Sequence, residues 1–293
     1  MLYINLKPFE PKRFPDGTQM MLDLKVYTSE LRDMGVHTEI YWRYENDEEC
    51  MRLFYIVNHI KEQDPEARLT LTMPYLPNAR MDRTKNVKEV FTLKYFCRFI
   101  NSLGFNKVRV LDPHSDVGVA LLDRVEVLTD ALERNLNYAI DNASEDCDDN
   151  DFIIFFPDAG AMKRYSGIRC FKRRSMIYGH KVRNWETGDI EGLDIMDRDG
   201  QRVKNTHALP FAGKTILMID DIISYGGTLY HSAKKLKELG AEHIYAYVTH
   251  TENSILDPEN GTFIKCLDDG TVDTLYTTDS IYNGNHPKIK RLG

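Results

Sequence analysis

The sequence predicts an α/β protein of two similar domains, each a mainly parallel sheet flanked by helices. Short apolar runs alternate with amphipathic stretches, the pattern of strands joined by crossover helices. A length of 293 residues is long for one domain and comfortable for two. Near the middle the composition turns polar and acidic, DNASEDCDDND at residues 141–151, which marks a boundary or a surface loop. The expected division is residues 1–142 and 143–283, with 284–293 as a tail against the first domain. In the first half, 68–73, 108–111 and 125–128 read as strands. Residues 87–103 read as a helix, with Phe91, Tyr95, Phe96, Phe99 and Leu103 near helical spacing. In the second half the strands are 152–156, 215–219, 244–248 and a weaker 272–276. A helix over 228–239 ends at Gly240, a favourable C-terminal cap. The Arg198-Asp199-Gly200 turn inside 188–206 suggests a hairpin or mobile arm.

Hydrophobic residues at 42% and charged residues at 28% fit an ordinary globular protein. The N-terminus has no signal-peptide pattern, and no apolar run is long enough to cross a membrane. Cys50, Cys97, Cys147, Cys170 and Cys266 are scattered, without CxxC or zinc-finger spacing. They read as reduced thiols of a cytoplasmic protein. A net charge of -7 argues against a general nucleic-acid binder, while local basic loops remain open to small anions.

The strongest motif runs from Ile219 to Thr228, IDDIISYGGT. A strand delivers Asp220 and Asp221 to its C-terminal edge, where open α/β sheets bind ligands. The two carboxylates suit ribose hydroxyls, or a cation carrying a diphosphate. Ser224, Tyr225, Gly226, Gly227 and Thr228 then form a small loop before a helix. Side-chain-free glycines let backbone N–H groups close on a phosphate, and the helix start adds free donors and dipole. In Pro157-Asp158-Ala159-Gly160, another strand ends in an acid, followed by Lys163 and Arg164. Asp158 suits Mg²⁺, a hard cation that takes oxygen ligands, or equally a helix N-cap. In Asp112-Pro113-His114, His114 suits a metal or a phosphate. Lys181 and Arg183 in HKVR stand two apart on an extended segment, as cations that neutralise transferring phosphoryl oxygens would. Lys172, Arg173 and Arg174 read mainly as a solvated face. Arg80, in PYLPNAR, can pair with a nucleotide phosphate, and Phe14, beside Asp16 in a turn, can stack on a base. Taken alone, a plain turn accounts for each of these last two.

In this order the motifs resemble those of the ribose-phosphate diphosphokinase (phosphoribosyl diphosphate synthetase) family. The resemblance covers most of the chain: FPDG from Phe14, PYxPxAR to Arg80, DxH from Asp112, PDAGxxKR from Pro157, HKxR from His180 and DDxxxxGGT from Asp220. It implies two phosphoribosyltransferase-type domains and Mg²⁺-dependent transfer of the diphosphoryl group of ATP to the 1-hydroxyl of ribose 5-phosphate. It places His114 and Asp158 at Mg²⁺–ATP, and Lys181 and Arg183, with His114, in catalysis. It places Asp220 and Asp221 on ribose hydroxyls and Ser224 to Thr228 around the 5-phosphate. Arg80 and Met81 go to ATP, and Phe14 and Asp16 to the adenine site of a neighbouring subunit. It implies a homo-oligomer, dimer or hexamer.

The sequence also departs from the family pattern. Ser224-Tyr225 replaces the usual Asp-Thr, Met81 stands where Gln usually follows the Arg, and Thr18 stands where an acid usually follows the FPDG turn. The altered loop raises a larger acceptor, such as ADP-ribose, as an alternative. A non-catalytic regulatory homologue is a second alternative, although His114, Asp158, Lys181 and Arg183 are all present. A phosphoribosyltransferase that consumes the diphosphate leaves HKxR and DxH unexplained.

Overall fold

The computed structural model describes residues 1–22, 24, 37–145, 147–183, 190–203 and 210–292, excepting the side chains at 181–183 and 190–191. The chain divides into two units, Met1–Thr129 and Asp130–Gly293.

The first unit begins with β1 (Leu2–Ile4), β2 (Lys7–Phe9), a small hairpin of β3 (Lys12–Arg13) and β4 (Gln19–Met20), then β5 (Thr38–Trp42). It continues as α1 (Glu48–Gln63), β6 (Leu69–Met73), α2 (Thr92–Ser102), β7 (Lys107–Val110), α3 (Asp116–Leu121) and β8 (Val125–Val127). Six strands form one sheet in the order β2-β1-β5-β6-β7-β8, antiparallel up to β5 and parallel beyond. Leu71 and Met73 from the sheet, with Leu53, Ile56 and Ile60 from α1 and Leu93 and Ile100 from α2, form a buried core.

The second unit contains α4 (Thr129–Ala143), β9 (Phe152–Phe156), α5 (Ala159–Tyr165), β10 (Ser175–Arg183), β11 (Ile190–Asp197), β12 (Thr215–Ile223), α6 (Gly227–Glu238), β13 (His243–Thr251), α7 (Phe263–Asp268), β14 (Thr274–Thr278) and β15 (Ile289–Leu292). Its seven-stranded sheet runs β11-β10-β9-β12-β13-β14-β15, parallel except for the β10–β11 pair. All five residues of β9 are buried, as an unbroken apolar run in a parallel sheet covered on both faces requires. The α/β class with mainly parallel sheets matches the expectation from sequence.

Several boundaries differ from that expectation. The first-half helix starts at Thr92, not 87, because Val87 is fully exposed and Val90 largely so: neither has a face to bury. Residues 141–143 end α4, so the acidic composition shift begins inside a helix, and the units part after Thr129, before the expected 142. The helix buries Leu132, Leu136, Ala139, Ile140 and Ala143, and Tyr138 meets Tyr276 edge-on with ring centroids 6.2 Å apart. The tail was expected against the first domain. Instead β15 adds to β14 as a parallel edge strand and buries Ile289. The Arg198-Asp199-Gly200 turn does close a hairpin, through a Met196–Arg202 bridge with Gly200 at φ 78°.

Candidate active site

In the second unit the strand order reverses between β9 and β12, since β10 follows β9 on one side and β13 follows β12 on the other. Such a switch point opens a crevice at the C-terminal strand ends. Asp158 follows β9, and Asp220 and Asp221 lie on β12, which runs through both acids to Ile223. The register pairs Met218 with Phe155, so the chemistry-bearing residues emerge side by side at that edge.

These acids are held differently. Asp158 caps α5: Oδ1 accepts from Gly160 N at 2.9 Å and from Ala161 N at 3.0 Å. Capping and metal binding are compatible here, because the cap uses one oxygen of the carboxylate. Asp221 is 4% exposed and ion-paired with Arg164 Nη1 at 2.9 Å. Arg164 also stacks on the Tyr165 ring, 5.6 Å from its centroid. Asp220 is half-buried, and its Oδ1 accepts from Asp221 N at 2.9 Å. Burial, followed by the Asp221 charge and more weakly by Asp158, pushes the Asp220 carboxyl well above the usual carboxylate range. Arg164 is the residue that sequence reasoning missed. The adjacent cations Lys163-Arg164 were visible, but nothing in the spacing said that one turns back onto β12.

The loop after β12 is shaped by more distant residues. Gly226 has φ 86°, and a Cβ there would overlap Phe263 Cβ and lie 3.0 Å from Ile223 Cδ1. The Tyr225 carbonyl accepts from Thr262 N at 2.9 Å, Phe263 N at 3.1 Å and Thr262 Oγ1 at 2.8 Å. The Tyr225 ring is 46% exposed. Helix α6 then starts at Gly227, with Thr228 in its first turn, which puts a helix N-terminus just after the loop.

Lys181 and Arg183 lie on the backbone of β10, and their side chains lie outside the described residues. Among the described residues, no three His, Cys, Asp or Glu side chains form a ready metal cage. A Mg²⁺ held by Asp158 would therefore complete its shell with substrate oxygens and water, its common habit.

In the first unit, the loops after the parallel neighbours β6 and β7 are tied by Leu111 N donating to Pro74 O at 3.0 Å. That bond holds the beginnings of the two loops that lead to His114 and Arg80 side by side. Asp112 is buried at φ 42° and Asn78 has φ 62°, both left-handed turns that aim these loops. His114 is half-buried, and Arg80 and Met81 are exposed. Phe14 and Asp16 sit in the β3–β4 turn. Asp16 Oδ1 accepts from Thr18 N at 2.9 Å and Thr18 Oγ1 at 2.7 Å, which lowers its pKa. Thr18 thus closes the turn from the position where an acid was expected. Arg13 ties the hairpin to Glu48 at 2.6 Å. Phe14 lines a cavity of about 460 Å³ with Gln19, Met20, Tyr55 and His59.

Two α/β units, one with an Asp-Asp strand end and a glycine loop at a topological switch point, define a phosphoribosyltransferase-type fold. No family model matches the chain. It is 26% identical over 253 residues to the ribose-phosphate pyrophosphokinase of Saccharolobus solfataricus, covering 85% of this chain and 78% of that one. It is 25% identical to the Buchnera aphidicola enzyme of the same name over 294 residues, covering 96% and 80%. The fold matches the crystal structure of phosphoribosylpyrophosphate synthetase from Mycobacterium smegmatis, with a TM-score of 0.60 at 18% identity over 83% of this chain and 72% of that one. The chain is thus similar over most of its length to ribose-phosphate pyrophosphokinases, at about a quarter identity.

Proposed function

We propose that the protein is a ribose-phosphate diphosphokinase, transferring the diphosphoryl group of ATP to the 1-hydroxyl of ribose 5-phosphate and releasing AMP. The observation that carries this reading is the acceptor crevice: Asp158, Asp220 and Asp221 at the switch point, with the Gly226 turn and the start of α6 beside them. In this reading the N–H groups from Gly226 onward receive the 5-phosphate, and the paired acids receive the ribose hydroxyls. Asp158 and His114 hold Mg²⁺–ATP; the metal supplies charge neutralisation on the phosphates. Arg80 and Met81 contact ATP, and Phe14 and Asp16 serve the adenine of a neighbouring protomer in a homo-oligomer. Lys181 and Arg183 neutralise charge developing on the transferring group. Phosphoryl transfer of this kind asks the protein mainly for positioning and electrostatics. A cytoplasmic location belongs to the same reading.

The test is AMP release from ATP with Mg²⁺ and a panel of acceptors. Turnover with ribose 5-phosphate supports the assignment, and no AMP with any acceptor refutes it in favour of a regulatory homologue. A second reading, a 5′-diphosphate ester such as ADP-ribose as acceptor, is favoured by the exposed Tyr225 ring in the loop. A large preference for ribose 5-phosphate eliminates that reading.

A further inference from the structure

The run of cations that the sequence leaves as a solvated face lines a cavity. Arg169, Lys172, Arg173 and Arg174, with Cys170 and Asp149, surround about 400 Å³ in the second unit, a volume in the range of small-molecule sites. The cavity lies at the beginnings of β9 and β10, since Asp149 precedes Phe152 and Arg174 precedes Ser175. It is at the opposite edge of the sheet from Asp158. Asp158 lies six residue steps beyond Phe152, roughly 20 Å at about 3.3 Å per residue.

Arg174 is the built part of this cavity. Its side chain is only 19% exposed, and its guanidinium lies over the Phe152 ring, 4.8 Å from the centroid. Nη1 is buried without a hydrogen bond to a described residue, and Asp149 stands 3.5 Å away. A buried guanidinium donor left without an acceptor is costly, and an oxyanion satisfies it. Asp149 itself is 92% exposed, so it screens this charge poorly. Asp151, the next acid, is engaged by Lys214 Nζ at 2.5 Å. Arg169 meets Glu133 only at 3.7 Å and is 82% exposed. Four cations therefore face two loosely placed carboxylates. Burial pushes the Cys170 thiol up to about 11, so it stays neutral and does not offset the positive charge. No aromatic ring lines the cavity among the described residues, so nothing there is suited to stacking a base.

We propose that Arg169, Lys172, Arg173 and Arg174 form a second anion site that binds the di- or triphosphate part of a small molecule, separate from the acceptor crevice. Recognition rests on the phosphates. Inorganic tripolyphosphate and ATP bind alike, and single orthophosphate binds more weakly, because it spans fewer of the cations.

The test is hydrogen exchange on the full chain, followed by mass spectrometry, at about 0.15 M salt with tripolyphosphate, ATP or orthophosphate. The expected result is saturable protection of peptides covering 168–176 by tripolyphosphate and ATP. In the Lys172→Ala, Arg173→Ala double variant, half-protection should require at least roughly tenfold more ligand, as loss of two charge-assisted contacts implies. Protection at 224–229 should stay unchanged. Both positions are exposed, and the charge-conserving pair Lys172→Arg, Arg173→Lys should retain binding, which separates lost charge from lost fold. The proposal is overturned if 168–176 shows no protection while 224–229 is protected. It is also overturned if the double variant binds as before, or if ATP protects and tripolyphosphate does not.

Discussion

Substituting Gly226 by Ala tests how the loop after β12 is held. At φ 86° an L-residue adopts a left-handed conformation, which costs about 1–2 kcal/mol. The added Cβ also overlaps Phe263, a residue with no exposed surface; forcing a methyl into a packed site costs about 1–3 kcal/mol. The sum is about 2–5 kcal/mol. Gly227→Ala is the control. There the Cβ meets only Thr262 Oγ1 at 3.9 Å, in a helical residue, so the change should be neutral or stabilising by up to about 1 kcal/mol. Urea unfolding of both variants measures the difference. At an m-value near 3 kcal/mol/M, each 3 kcal/mol moves the midpoint by about 1 M. Ribose 5-phosphate binding should weaken in the Gly226 variant, beyond any loss in the control. Equal midpoints for the two variants would refute the reasoning, since both the backbone and the packing argument distinguish these neighbours.

Three further predictions concern Arg164, Lys181 and Asp220. Arg164→Met should destabilise by about 3–5 kcal/mol by removing the cation that faces the buried Asp221 carboxylate, and adding Asp221→Asn should restore most of the loss; a double variant no more stable than the single would exclude the pair as the cause. Lys181→Ala should lower AMP release by orders of magnitude with an unchanged circular dichroism spectrum, and an unchanged rate would remove Lys181 from the chemistry. The raised pKa of Asp220 means that the folded state keeps a proton which the unfolded chain releases above about 3.9. This group's contribution to stability therefore falls as pH climbs from there through the folded value. Asp220→Asn should remove that decline, so its advantage in urea midpoint over the native chain grows from pH 4 to pH 7; parallel pH profiles would contradict it.

Much of this was legible in the sequence because strand ends in a parallel sheet are chemically marked. The unbroken apolar run of 152–156, followed by Pro157 and Asp158, announces a doubly covered strand and the end at which it meets the candidate site. So does 215–219 before Asp220, although the strand continues through the acids to Ile223. What stayed hidden depends on long-range partners. The Arg164–Asp221 pair links residues 57 apart, since 221 − 164 = 57. The tail's place on β14 follows from an open sheet edge, which is not written in the tail. The role of Thr18 was hidden because an Asx turn satisfied by a hydroxyl looks, in one dimension, like a lost acid.

The Tyr225 carbonyl, gripped by Thr262 and Phe263, bears on how this loop changes over time. Its bend is specified by one glycine and by two backbone N–H groups and a hydroxyl of Thr262 and Phe263, with Thr262 37 residues later, and the side chains at 224 and 225 take no part in those three bonds. Mutation can therefore explore these two positions while the bend persists, so under the proposed function acceptor preference is free to drift on a constant frame. The same separation makes the 224–225 pair a natural place to graft a different specificity, and it makes Thr262 and Phe263, outside the motif, the residues such a graft must leave alone.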